Sequence, residues 1–83
     1  MKADKEVLEK IIGILQPFVS GSVDIVPGMD IETDLAIDSL KSMEILANLE
    51  DTFDISIPIN VLSEVRTVED LAVQVQKIIG AEG

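Results

Sequence analysis

The stretch Thr33–Leu46, TDLAIDSLKSMEIL, decides how this chain is read. An Asp-Ser pair, Asp38 and Ser39, stands where a loose apolar run gives way to helical spacing. Both residue types are favoured at a helix start, because a side-chain oxygen can accept a backbone N–H that has no partner there. The spacing predicts a helix over Ser39 to Phe53. Advancing about 100° per residue from Ser39 sorts its apolar residues into two sectors. Ser42, Ile45, Leu46, Leu49 and Phe53 share one; Leu40, Met43 and Ala47 share the other. Glu44, Glu50, Asp51 and Asp54 border the second sector, and Lys41, Asn48 and Thr52 form a polar back. A surface helix needs one apolar stripe for the core. Either both stripes pack on neighbouring helices, or the second faces a partner, its apolar centre and acidic border matching the core and rim of an interface.

Working outward, Asp4 to about Leu15 reads as an amphipathic helix, with Val7, Leu8, Ile11, Ile12 and Leu15 at i, i+3 and i+4 spacing. Asp4 suits its start, and Pro17 predicts a stop near Gln16. Phe18 to Ile37 is a long connection punctuated by Gly21, Pro27 and Gly28. SVDIV within it alternates like a strand but has no partner run, so it reads as loop. A structureless connection of this length must be pinned down, and Val23, Val26, Ile31, Leu35 and Ile37 are the expected anchors. On the other side, Pro58 suits the first turn of a short helix reaching about Ser63. Thr67 to Asp70, TVED, is a capping box opening a last helix with Val68, Leu71, Ala72, Val75, Ile78 and Ile79 on one face. Gly80 is its expected stop. The predicted fold is all-α: a small helical bundle of three longer helices, one short helix and a long first loop, forming a single domain over residues 1–83.

The composition agrees. A chain of 83 residues that is 47% hydrophobic but only 2% aromatic must build its core from Ile, Leu and Val; at this size roughly 60% of the unfolded surface can be buried. With no cysteine there is neither a disulfide framework nor a thiolate metal site. The polar opening MKADKEVLEK lacks the apolar centre of a signal peptide, and no apolar run approaches the ~20 residues of a membrane span. A cytoplasmic monomer without membrane insertion is expected. The net charge is −10, and between Asp24 and Asp70 twelve acids face two bases, Lys41 and Arg66. Phosphate contacts need Lys and Arg, so nucleic acid is not an expected partner. A concentrated acid excess instead suits partners with basic faces, which it steers at long range.

Little chemistry is available to the chain itself. Ser39 as a nucleophile needs a base, and there is no histidine; Lys41 projects away from it on the same helix. No catalytic residue is expected. Asp30, Glu32 and Asp34 match the opening of a calcium loop, but Leu35 stands where the turn glycine belongs and Lys41 where the bidentate glutamate belongs. No dedicated metal site is expected, only loose sharing of a divalent ion by Asp30, Glu32, Asp34 and Asp38.

TDLAIDSLKSMEILANLEDTFDISIP resembles the acyl carrier proteins. The likeness lies in Leu35, Asp38-Ser39-Leu40 and, in register behind them, Glu44, Leu46, Leu49, Glu50, Phe53, Ile57 and Pro58; chain length, helix order, long first loop and acid excess extend it to the whole chain. The resemblance implies that 4′-phosphopantetheine is attached to Ser39 through a phosphodiester by a separate phosphopantetheinyl transferase (a holo-ACP synthase), with Asp38 helping that enzyme hold its magnesium and cofactor donor. The arm's thiol then carries acyl groups as thioesters, and the chain is not itself an enzyme. The resemblance further implies that Leu40, Met43 and Ala47 are apolar contacts, and Glu44, Glu50 and Asp51 acidic contacts, to synthases and acyl-transferring enzymes with basic docking faces. The expected setting is fatty acid, lipid or polyketide synthesis. Two alternatives are an aminoacyl or peptidyl carrier using the same serine and an unmodified acidic interaction module. Three positions depart from the family pattern. Ala36 replaces the glycine of Leu-Gly-x-Asp-Ser-Leu, Lys41 stands where an acid is usual, and the short helix, often acidic in the family, reads PINVLSEV.

Overall fold

The structure is a computed structural model that describes residues 4–19, 21 and 23–82. Helix α1 spans Lys5–Leu15, α2 spans Ser39–Phe53 and α3 spans Val68–Glu82. Two 3-10 turns, Gln16–Phe18 and Ile59–Glu64, complete the regular structure. The fold is all-α, as predicted.

Asp4 caps α1 by accepting the Glu6 N–H at 2.9 Å, and the predicted apolar face buries Ile11 and Leu15 completely. The α-helix ends at Leu15, and Pro17 sits in the first turn of the 3-10 segment, where its missing N–H breaks no helix bond. Helix α1 packs against both α3 and α2, which makes it the spine of the bundle.

The first loop contains no strand among its described residues. It is pinned by Ile25, Leu35 and Ile37, which are buried, and by Val23 and Ile31, which pack partly against the core. Ser20 and Ser22, at its start, lie outside the described residues. The expected anchor Val26 is overturned: it is 48% exposed, and Ile25 takes the inward place. Neighbouring side chains on extended backbone point to opposite sides, so the inward turn of Val23 and Ile25 sends Val26 outward. Backbone bonds tie the same loop to the start of α3. The Ile31 N–H donates to the Arg66 carbonyl at 2.9 Å, Val68 to Met29 at 3.0 Å and Glu69 to Pro27 at 2.9 Å. Asp30 and Thr67 thereby form an isolated antiparallel bridge.

Beyond α2 the short segment differs from expectation. It winds as a 3-10 helix, and Pro58 precedes it in extended backbone (ψ 139°) instead of sitting in its first turn. Six residues are enough to drop Val61 into the core. The predicted capping box is present. The Asp70 N–H donates to the Thr67 hydroxyl, and the Thr67 N–H donates to the Asp70 carboxylate, each at 3.1 Å. The expected stop at Gly80 is overturned, because α3 runs through it to Glu82. Glycine ends a helix by taking a left-handed conformation, and among the described glycines only Gly21 has a positive φ.

Val68, Leu71, Ala72 and Val75 from α3 meet Ile45, Leu46 and Leu49 from α2 and the α1 residues in one aliphatic core. No polar or charged side chain is buried among the described residues. No described helix is long and apolar enough to cross a membrane.

Candidate functional site

The core settles which stripe of α2 faces inward. Ile45, Leu46 and Leu49 are buried, with Ser42 and Phe53 half-buried beside them. The other stripe is open: Leu40 is 75% exposed, Met43 47%, and Ala47 is exposed. The second stripe therefore does not face the core of this fold.

At the head of α2 the two residues of the Asp-Ser pair separate in role. Asp38 is the N-cap, accepting the Lys41 N–H through Oδ1 at 2.9 Å. Ser39 is the first helical residue, exposed, with no part in that cap. Its side chain stands where the first-turn N–H groups lack intrahelical partners and favour negative charge. A phosphodiester on its oxygen would lie in that favourable field.

The approach to Ser39 is set by backbone under strain. Ala36 adopts φ +53°, a left-handed conformation that a Cβ disfavours by roughly 1–2 kcal/mol. This is the position where the family pattern carries glycine, and the conformation explains why. The turn ahead of it is held by acids acting on their own backbone. Asp30 accepts the N–H groups of Glu32 and Thr33 through Oδ1, each at 3.0 Å. Asp34 accepts the Asp30 N–H at 2.8 Å, and Asp30 Oδ2 takes the Arg66 Nε–H at 3.2 Å. The Thr33 N–H above all, then the Arg66 guanidinium and the Glu32 N–H, hold the Asp30 carboxyl below its ordinary value of 3.8 against partial desolvation. Because Asp30, Asp34 and Asp38 turn carboxylate oxygens onto nearby amides, loose cation sharing by Asp30, Glu32, Asp34 and Asp38 is not supported. Among the described residues no three acids converge in a way that could hold a metal ion.

Of the expected acidic contacts, Glu44 and Asp51 are exposed on α2. Glu50 is half-buried and accepts the Ile57 N–H through Oε2 at 2.8 Å. Its carboxylate thus fastens the segment after α2 to the helix.

An open groove runs past Ser39, lined among others by Ala36, Asp38, Met43, Ile59 and Leu62. Ile59 was not among the expected contacts, yet it is 62% exposed. The sequence held a signal for it: an isoleucine directly after Pro58 in a segment too short to bury every apolar residue it carries. The groove and the exposed serine fit a slender flexible group attached at Ser39. No histidine stands beside that hydroxyl, since the chain has none.

Residues 5–74 match the family described as the phosphopantetheine attachment site. The chain belongs to this family, that of the acyl carrier proteins, whose members are carriers bearing an attached phosphopantetheine. A probable acyl carrier protein of Caulobacter vibrioides is 47% identical over 62 residues, covering 74% of this chain and 72% of the relative. The meromycolate extension acyl carrier protein of Mycobacterium leprae is 36% identical over 73 residues, covering 88% of this chain and 58% of that one. Among solved structures, a putative acyl carrier protein from Mycobacterium tuberculosis superposes with a TM-score of 0.78 at 30% identity, covering 86% of this chain and 96% of that one.

Proposed function

We propose that Ser39 is the attachment residue and that this chain carries acyl intermediates between the enzymes of a fatty acid, lipid or polyketide pathway. The observation that carries the reading is the division of labour at the head of α2: Asp38 caps the helix and leaves an exposed serine oxygen beside a groove. The arm supplies a terminal thiol that holds acyl groups as thioesters. The chain's own residues do the rest. Ser39 anchors the arm, Asp38 fixes the helix start and stands where the transferase's magnesium would be met, and the groove gives the arm a surface to lie along. Acyl cargo is supported by the relatives, which are named acyl carrier proteins. The meromycolate relative is named for extension of a lipid.

Partner enzymes meet the open stripe of α2. Leu40, Met43 and Ala47 provide the apolar contact, and Glu44 and Asp51 the acidic rim, while the Glu50 carboxylate is taken up by the Ile57 amide. Rim charges act mainly on encounter rates. Charge reversal at Glu44 or Asp51 should therefore slow association with a basic partner, and added salt should weaken binding of the unaltered chain.

The test weighs the chain and Ser39→Ala after incubation with a phosphopantetheinyl transferase and coenzyme A. The unaltered chain should gain the mass of one phosphopantetheine. The variant should gain none, while melting close to the parent because the cap hydrogen bond belongs to Asp38. A variant that still gains the arm would place the attachment elsewhere.

A further inference from the structure

Among the described residues four large apolar side chains are exposed: Val26, Leu40, Met43 and Ile59. Three of them gather around Ser39. Leu40 adjoins it on α2, and Met43 and Ile59 line the same groove as the serine. Ile59 belongs to a different element, the 3-10 turn Ile59–Glu64, whose sequence INVLSE places its single charge, Glu64, at the far end. The surface around Ser39 is thus two-sided. The α2 side is apolar with exposed acids at Glu44 and Asp51, while the near end of the turn carries no charge, presenting the exposed Ile59 beside the neutral amide of Asn60.

Any enzyme that brings its centre to the Ser39 oxygen covers this surface. A standard interface takes about 800 Å² from each partner, far more than the serine and its immediate neighbours supply, so the opposite lip of the groove is included. We propose that Ile59 is a specificity-determining docking residue: it selects a phosphopantetheinyl transferase that meets the turn with an apolar pocket and confines its basic groups to the α2 side. This rests on the carrier reading of Ser39. A transferase with Arg or Lys opposite the turn would have to bury that charge against an isoleucine without a counter-ion, which costs binding. One with an apolar pocket there gains by excluding water from Ile59.

The test measures modification of the chain by the transferase of the same organism, with coenzyme A, as KM and kcat. Ile59→Asp should raise KM about tenfold, the scale expected of one interface anchor, with kcat little changed. Ile59→Leu should keep the parental KM. Val26→Asp, a control at the exposed apolar residue off the groove, should also keep it. Ile59 is largely exposed, and equal melting temperatures would show that the variants are folded. If the chain is modified and Ile59→Asp matches or improves on its KM, the proposal is overturned while the carrier reading stands. If the unaltered chain is not modified at all, the carrier reading fails and the proposal with it.

Discussion

Ala36 holds a left-handed backbone next to the candidate attachment residue, and that conformation has a cost that substitution can measure. Ala36→Gly removes the Cβ responsible but frees the unfolded chain, so it should leave stability unchanged or raise it by up to about 1 kcal/mol. Ala36→Val should lower it by about 1–2 kcal/mol, because a branched side chain is least tolerated there; thermal melts in which Ala36→Val is as stable as Ala36→Gly would show that the strain is not real. A few residues away, Asp30 makes stability depend on acid. Its folded pKa lies below 3.8, so its contribution is complete above that value and is lost as pH falls through the lower folded one. Asp30→Asn should melt below the parent at neutral pH, and the gap should close in strongly acidic buffer. At this scale the sequence was legible wherever one residue type answered to one local need: Asp38 at a cap, glycine's absence at position 36, Thr67 with Asp70. It was not legible for Glu50, whose hold on the Ile57 amide depends on how the chain returns after α2. Nor was it legible for the cation sharing expected of Asp30, Glu32, Asp34 and Asp38, because an alternating run of acids does not reveal that the oxygens of Asp30, Asp34 and Asp38 turn toward nearby N–H groups.

Among the elements, α2 must both join the core and present a face outward. Glu50→Ala should cost about 1.5–3 kcal/mol, the range for a hydrogen bond to a charged group, whereas Glu44→Ala and Asp51→Ala should stay within about 0.5 kcal/mol. Denaturant titrations of the three would separate a clamp from a rim. Helix α1 carries Gly13 at an exposed position where an added Cβ meets nothing within 4 Å. Gly13→Ala should therefore stabilise by about 0.8–1 kcal/mol, the full helix-propensity difference; an unchanged denaturation midpoint would count against α1 as a regular helix at that turn. Periodicity located all three helices because each buries one stripe, and α2 was found to the residue because its stop, Asp54, follows the last apolar position. The end of α3 was misjudged since glycine permits a stop without requiring one. The outward turn of Val26 follows from the alternation that takes Val23 and Ile25 inward, and SVDIV carries apolar residues on both of its faces, so the pattern alone does not say which face meets the core.

For the whole molecule, the −10 charge is borne by a fold that buries no charged side chain among its described residues. Self-repulsion of this kind disfavours the compact state, and the Debye length falls to about 10 Å at 0.1 M salt, so the melting temperature should climb with sodium chloride. Magnesium at matched ionic strength should add no saturable step, because no three acids among the described residues converge; a saturating rise at low magnesium would contradict that arrangement. The bonds that fasten the first loop to the start of α3 have a further consequence. They join positions such as Asp30 and Arg66, 36 residues apart, and between those two points lie α2 and the turn bearing Ile59. The segment is cinched at its ends and otherwise held mainly by apolar contact, so it can come away as one cooperative unit while α1 and α3 stay paired. Proteins open in such units below the global unfolding free energy. Amides from Leu40 through Val61 should then share one exchange free energy, lower than that of the α1 and α3 amides. Asp30→Asn, by loosening the cinch, should lower the first without moving the second.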